Sequence, residues 1–204
     1  MDQLYFVRHA NADYLNDCIT PSGKRQMDQL ISILDQSLPE SLDCVLVSSP
    51  SGRAMKTANG FVPMLTRKTG REISIVPERG LDQIRSIGSV EEILQNGREN
   101  VGLIEKYHSS EYGFFISHDK IIVATSLAIA EKLSINIPEF LRLDKEIDQS
   151  LVNWMMNQFR YTKEVSEKKL RECEIKPLQE IPEIEEASAI HIDLQKRQIE
   201  YITR

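Results

Sequence analysis

The sequence has few cysteines, and their spacing is not that of a zinc site or a disulfide framework. Cys18, Cys44 and Cys173 are far apart and form no C-x-x-C pair, so we expect no bound metal and a reducing, cytoplasmic setting. The longest apolar run, residues 121–130, is too short to cross a bilayer. The N-terminus has no basic segment followed by an apolar one, so we also expect no signal peptide.

An excess of basic charge is also missing. The net charge is −6, and 41% of the residues are hydrophobic and 27% charged, as in an ordinary soluble globular protein. A negative chain repels the phosphates of nucleic acids and of anionic membranes, so we exclude both as partners. A local cluster of arginines could still bind a small phosphorylated substrate or a phosphoprotein.

Several motifs of nucleotide and hydrolase chemistry are absent. There is no G-x-G-x-x-G, G-x-S-x-G or H-E-x-x-H sequence. Gly23-Lys24 does not belong to a P-loop, because Cys18 stands in place of the first glycine and Arg25 in place of Ser or Thr. The sequence therefore predicts no cofactor.

Apolar strand patterns alternate with amphipathic helix patterns over the first two thirds of the chain. We predict strands at residues 3–7, 43–48, 72–76 and 112–117. We predict helices that begin at Thr20-Pro21, after Ser49-Pro50-Ser51, at Ser89 (ending near His108) and at residue 119 (ending at 133). This order favours a three-layer α/β/α fold with a mainly parallel sheet.

The last third of the chain has a different pattern. Residues 139–160 have the spacing of one long amphipathic helix, within a helical excursion over residues 139–176, and residues 177–186 have the composition of an exposed linker. A pair of strands, 188–194 and 198–202, should follow. We expect a single domain, 1–204, in which residues 139–187 form either a cap over the site or the surface of a homodimer.

Basic side chains stand at three of the predicted turns between strands and helices. Arg8 and His9 end the first strand, Arg53 lies in the first turn of the second helix, and His118 follows the fourth strand. Strand ends of this kind meet at one edge of an α/β sheet, and phosphoryl transfer needs a nucleophile and cations for three oxygens. We predict that His9 is the nucleophile and that protonated His118 neutralises one oxygen. His108 and His191 lack such context.

The same segments resemble those of the histidine phosphatase superfamily. Residues 6–10 (FVRHA) are similar to its R-H-G signature, residues 19–23 (ITPSG) to L-T-x-x-G, residues 47–58 to S-S-P-x-x-R-A-x-x-T-A, and residues 115–119 to V-S-H-G. The resemblance covers residues 4–130. It implies that His9 is phosphorylated during turnover, and that Arg8, Arg53 and His118 hold the phosphoryl group.

The proton donor is the main departure from the family's pattern, apart from Ala10 in place of Gly. The mutase-like branch has L-x-E where this chain has Leu81-Asp82-Gln83, and glutamine cannot donate a carboxylic proton. The resemblance leaves Asp82 and Asp119 as rival acids, the second because the acid phosphatase branch uses an H-D pair. Glu78 is a third candidate, and Asp119 could equally be a carboxylate that caps its helix.

The sequence as a whole therefore predicts a phosphatase. The resemblance implies a metal-independent enzyme that hydrolyses a phosphomonoester or a protein phosphohistidine through phospho-His9. Loss of the usual glutamate makes a mutase the weaker expectation. The alternative is a phosphate-binding or protein-interaction module that keeps the basic residues but has no effective acid.

Overall fold

The computed structural model describes residues 1–13, 15–82, 90–141, 156, 162–165 and 184–203. In chain order its strands and helices are β1 (Gln3–Arg8), β2 (Ala12–Asp13), β3 (Cys18–Ile19), α1 (Pro21–Ser37), β4 (Cys44–Ser48), α2 (Gly52–Thr69), β5 (Ile75–Pro77), α3 (Val90–Glu105), β6 (Tyr112–Ser117), α4 (Asp119–Leu133), β7 (Ala189–Asp193) and β8 (Gln198–Ile202). Single 3₁₀ turns cover Arg79–Leu81 and Glu139–Leu141.

The main sheet has six strands in the order β5-β4-β6-β1-β7-β8. The first four of these strands run parallel, and β7 and β8 add an antiparallel edge beside β1. The carboxyl ends of β1, β4, β5 and β6 therefore lie along one edge of the sheet. Among the described residues, no helix is both long enough and apolar enough to span a membrane.

Each face of the sheet is covered by a pair of helices, because side chains alternate along the buried strands. Tyr5 and Val7 of β1 pack with α1 and α2 on one face. Leu4 and Phe6 pack with α3 and α4 on the other. The predicted three-layer α/β/α fold and the C-terminal strand pair are both confirmed.

The first turn of α1 fixes the loop that follows β1. The hydroxyl of Thr20 accepts a hydrogen bond from the backbone N–H of Gly23 (3.0 Å), and Pro21 is the first helical residue. A Cβ on Gly23 would lie 2.1 Å from the carbonyl oxygen of Asn11. Only glycine allows this approach, so the helix start holds the loop after His9 in place.

The structure also differs from the sequence prediction at several places. The third predicted strand is shorter and lies later, at Ile75–Pro77, and the β2–β3 hairpin was not predicted. Residues 139–141 form a 3₁₀ turn rather than the start of an α-helix. Most of the predicted helical excursion (139–176) and of the predicted linker (177–186) lies outside the described residues. Ile184, assigned to the exposed linker, is buried (3% exposed) because it packs into the α3–α4 core.

Candidate active site

The ends of β1, β4 and β6 bring the basic residues of the sequence motifs into one pocket. Arg8 is paired with Ser117 across the β1–β6 ladder, so His9 and His118 follow side by side. The N–H of His9 donates to the carbonyl of Ser117 (3.0 Å), and the two imidazole centroids are 5.0 Å apart. Arg53 reaches both rings from the first turn of α2.

The imidazole of His9 is held in one tautomer. Its Nδ1 lies 2.9 Å from the carbonyl oxygen of Ala10, which can only accept, so Nδ1 carries the proton. Its Nε2 accepts from Nε of Arg53 at 3.2 Å. Burial, and to a smaller extent the charges of Arg53 and Arg8, lower the pKa of His9 from its ordinary value of 6.5. The ring is therefore neutral at neutral pH, with its lone pair on Nε2.

Arg53 is oriented by an aspartate that the motifs do not include. Nη1 of Arg53 is 3.0 Å from Oδ1 of Asp17, and the same carboxylate accepts from the backbone N–H groups of Gly52 and Arg53. These contacts lower the pKa of Asp17 despite its partial burial. Asp17 thus caps α2 and fixes the guanidinium, whose Nη2 lies 3.5 Å from Nδ1 of His118.

The guanidinium of Arg8 has a buried donor that no acceptor among the described residues satisfies. Nη1 donates to the carbonyl of Ile184, and Nη2 lies 3.8 Å from the carboxylate of Asp119. Nε is buried and has no hydrogen-bond partner in the described part of the chain. A buried N–H without an acceptor is costly, and an oxyanion would supply one here.

His118 has polar neighbours on both ring nitrogens. Nε2 lies 3.2 Å from Oγ of Ser49 and 3.5 Å from Oδ1 of Asp82. Burial, followed by the neighbouring His9 and Arg53, lowers the pKa of His118 to about 4. With this pKa, the ring of His118 is neutral at pH 7, whereas an imidazolium was expected from the sequence. The ring can still donate one N–H, because Nδ1 faces an Arg53 donor and leaves the proton to Nε2.

Both rival acids reach the pocket, by different contacts. Asp82 accepts from the hydroxyl of Ser49 (3.0 Å) and lies next to His118. Asp119 lies beside Arg8, and its Oδ1 accepts from the N–H of Lys120 (2.8 Å), which is the helix-capping role. Glu78 instead accepts from the hydroxyl of Tyr107 (2.5 Å), a residue just beyond the C-terminal end of α3. Gln83 lies outside the described residues.

Comparison with known proteins identifies solved structures with the same fold. No family model matches the sequence, and no curated protein does so either. A solved phosphoserine phosphatase from Entamoeba histolytica, in complex with 3-phosphoglyceric acid, has a TM-score of 0.55 and 11% identity, over 100% of this chain and 98% of that one. A mycobacterial glucosyl-3-phosphoglycerate phosphatase in complex with VO3 has a TM-score of 0.52 and 13% identity, over 100% and 98%.

Both solved structures belong to the histidine phosphatase superfamily. The chain has the histidine phosphatase fold. The resemblance seen in four short motifs therefore extends to the arrangement of the whole sheet and its helices. Ala10, where the motif has glycine, is fully buried and lies outside the positive-φ region, so the fold tolerates its methyl group.

The threonine of the α2 motif has a structural role in this histidine phosphatase fold. Oγ1 of Thr57 accepts from the N–H of Ala10 (3.1 Å) and donates to the carbonyl of Arg53 (2.9 Å). One side chain therefore ties the loop after His9 to the first turn of α2. The spacing between Arg53 and Thr57 in the motif thereby fixes the position of Arg53 relative to His9.

Three polar residues near the pocket escaped the sequence analysis. Asp17 orients Arg53, and Asn11 donates to the carboxylate of Glu186 at 2.8 Å. Asp17 has a left-handed backbone (φ 47°), and Asn11 and Glu186 are 175 positions apart in the chain. Neither feature produces a local pattern in the sequence. Within the described ranges, no three His, Cys, Asp or Glu side chains are grouped to hold a metal ion.

Proposed function

We propose that the protein is a metal-independent phosphatase that hydrolyses a phosphomonoester, or a protein phosphohistidine, through a phosphoryl group carried on His9. The observation that carries the proposal is the state of His9. A neutral imidazole with its proton fixed on Nδ1 and its lone pair on Nε2, beside two guanidinium groups, is suited to attack phosphorus.

In the first step, Nε2 of His9 attacks phosphorus while the bond to the leaving oxygen breaks. The N–H that Arg53 donates to Nε2 turns to a phosphoryl oxygen, and Nε of Arg8, which has no partner among the described residues, donates to another. The ring N–H of His118 serves the third oxygen. These donors are fixed in advance by Asp17 and by the strand ends, which favours the transition state over the free substrate.

The leaving oxygen takes a proton from a carboxylic acid in the same step. In the second step that carboxylate removes a proton from water, the water attacks phosphorus, the N–P bond breaks, and inorganic phosphate leaves. Asp82 and Asp119 both lie where an acid could serve these steps, the first against Ser49 and His118 and the second against Arg8. The pair of variants described in the Discussion separates them.

The relatives support hydrolysis more than phosphoryl transfer between hydroxyl groups. By their names, the two solved structures are phosphatases of small phosphomonoesters. A glutamate donor of the mutase kind is missing at position 83. We therefore favour a hydrolase that acts in the cytoplasm on a small phosphorylated molecule or a phosphoprotein.

A phosphate-binding module of the same fold is the second candidate. It is favoured by Gln83, which stands where the mutase-like motif has its glutamate and cannot donate a carboxylic proton. Hydrolysis of p-nitrophenyl phosphate from pH 4 to pH 8 with EDTA present decides between the two. Turnover supports the enzyme, and tight vanadate binding without turnover supports the module.

A further inference from the structure

The segment just before β7 forms one wall of the pocket. The N–H of Arg8 donates to the carbonyl of Ser188 (3.0 Å), and the N–H of Ala187 donates to the carbonyl of His9 (3.3 Å). Ala187 is left-handed (φ 49°), and the Arg8 guanidinium binds the carbonyl of Ile184. These contacts fix Glu186, which lies between them in the chain, beside the nucleophile.

The carboxylate of Glu186 is bound by the side chain of Asn11, whose amide nitrogen and oxygen both form hydrogen bonds. Oε2 accepts from Nδ2 of Asn11 at 2.8 Å. Oδ1 of Asn11 accepts from the hydroxyl of Thr20 (2.6 Å), and its backbone N–H donates to Oε1 of Gln26 (3.2 Å). In the described part of the chain, no lysine or arginine forms an ion pair with Glu186. Its negative charge also acts on His9, where it partly offsets the lowering of the pKa of that ring by burial and by the two arginines.

The charges around the pocket favour one kind of leaving group. The described residues place four carboxylates around it, those of Asp17, Asp82, Asp119 and Glu186, and two guanidinium groups, and both histidines are neutral at neutral pH. The guanidinium groups pair with Asp17 and Asp119. A substrate with a second anionic group would add repulsion to this excess, whereas an ammonium group would reduce it.

On the basis of the proposed phosphatase activity, we propose that Glu186, fixed by Asn11, is a specificity-determining residue that attracts an ammonium group on the leaving group of the substrate. The preferred substrates are then aminoalkyl phosphomonoesters. Esters whose leaving group carries a carboxylate are disfavoured. Neutral alkyl phosphates lie between the two.

Three small esters test this preference, because they differ mainly in the charge at the far end of the leaving group. They are O-phosphoethanolamine (ammonium), propyl phosphate (neutral) and phosphoglycolate (carboxylate). We expect kcat/KM to fall in that order, with a ratio of about tenfold or more between the first and the last, as for one charge-assisted contact. Glu186→Gln lowers this ratio toward one, and Glu186→Lys inverts it.

Glu185→Gln is the matched control, since it removes one negative charge from the exposed neighbouring residue and should leave the ratio unchanged. The ratio is measured on one sample, so partial unfolding of a variant cancels. Hydrolysis of all three esters with no preference for the ammonium ester, or with a preference that survives Glu186→Gln, overturns this inference alone. Failure to hydrolyse any of them, and p-nitrophenyl phosphate as well, overturns the proposed function and this inference together.

Discussion

The basic and the acidic halves of the pocket are built in different ways. Arg8, His9 and His118 lie at the ends of two buried strands, and Arg53 lies in the first turn of a long helix. Of the four carboxylates, Asp17, Asp82 and Glu186 lie instead on connecting segments, and only Asp119 lies on a long element, as the first residue of α4. Side chains on rigid elements keep their geometry, and side chains on loops vary more easily. We therefore propose that the basic half holds the phosphoryl group, and that the acidic half supplies the proton donor and, through Glu186, substrate choice.

Replacing His9, the proposed nucleophile of the basic half, should have the largest effect on activity. His9→Ala removes the imidazole whose Nε2 accepts from Nε of Arg53 at 3.2 Å, and we expect kcat to fall by about 10³-fold or more while the fold is kept. His191→Ala is the control: this histidine lies on β7, outside the pocket, and stacks on Tyr5 at 4.5 Å. Its loss should lower stability and leave kcat near the parent value.

Changing the shape of one cation should have the next largest effect. Arg53→Lys keeps the charge but loses the planar fork that contacts His9, Asp17 and His118 together. We expect kcat/KM for p-nitrophenyl phosphate to fall by about 10²-fold, since lysine cannot donate to several partners in fixed directions. The matched surface change, Arg71→Lys, touches Asp43 far from the pocket and should have no measurable effect. Equal activity of both variants would contradict the role of Arg53.

Replacing the proton donor in the acidic half should lower kcat on some substrates more than on others. The variant that removes the true donor, Asp119→Asn or Asp82→Asn, should lower kcat on alkyl phosphates by about 10²-fold. It should lower kcat much less on p-nitrophenyl phosphate, whose leaving group needs no proton. The other variant should affect both substrates alike. If both variants lose activity equally on the two kinds of ester, neither aspartate is the donor.

A smaller effect should appear in the pH dependence of stability. The pKa of His118 is about 4 in the folded protein and is near 6.5 when the chain is unfolded, so the unfolded chain binds more protons between these values. The free energy of unfolding should therefore fall as the pH drops from 6.5 to 4 and change little above 6.5. His118→Gln should flatten this part of the curve in urea titrations. An unchanged slope would show that His118 titrates normally.

Much of the basic half could be predicted from the sequence. Caps such as Thr20-Pro21 and the apolar spacing of 112–117 are local signals, and the structure places α1, β6 and α4 at the predicted residues. Because strands and helices alternate and the strands run parallel, the strand-to-helix junctions lie at one edge of the sheet. Four basic residues from three distant parts of the chain could thus be assigned to one place from the sequence.

Asp82 and Asp119 of the acidic half were named from the resemblance, but Asp17, Glu186 and the short hairpin could not be predicted in the same way. The strands β2 and β3 have two residues each, too few for an alternating pattern. Asp17 acts through a left-handed backbone conformation, which sequence does not reveal for a residue other than glycine. Glu186 reaches the pocket only because β7 adds beside β1. Such contacts depend on tertiary packing rather than on local spacing.

Trapping the phosphorylated protein tests the central claim most directly. Brief mixing with p-nitrophenyl phosphate, alkaline quenching and mass spectrometry of the peptides should show one phosphoryl group on His9, stable in base and lost in acid. The His9→Ala variant should show none. Turnover with no phosphoryl group on His9, or with the group on another residue, would contradict the account.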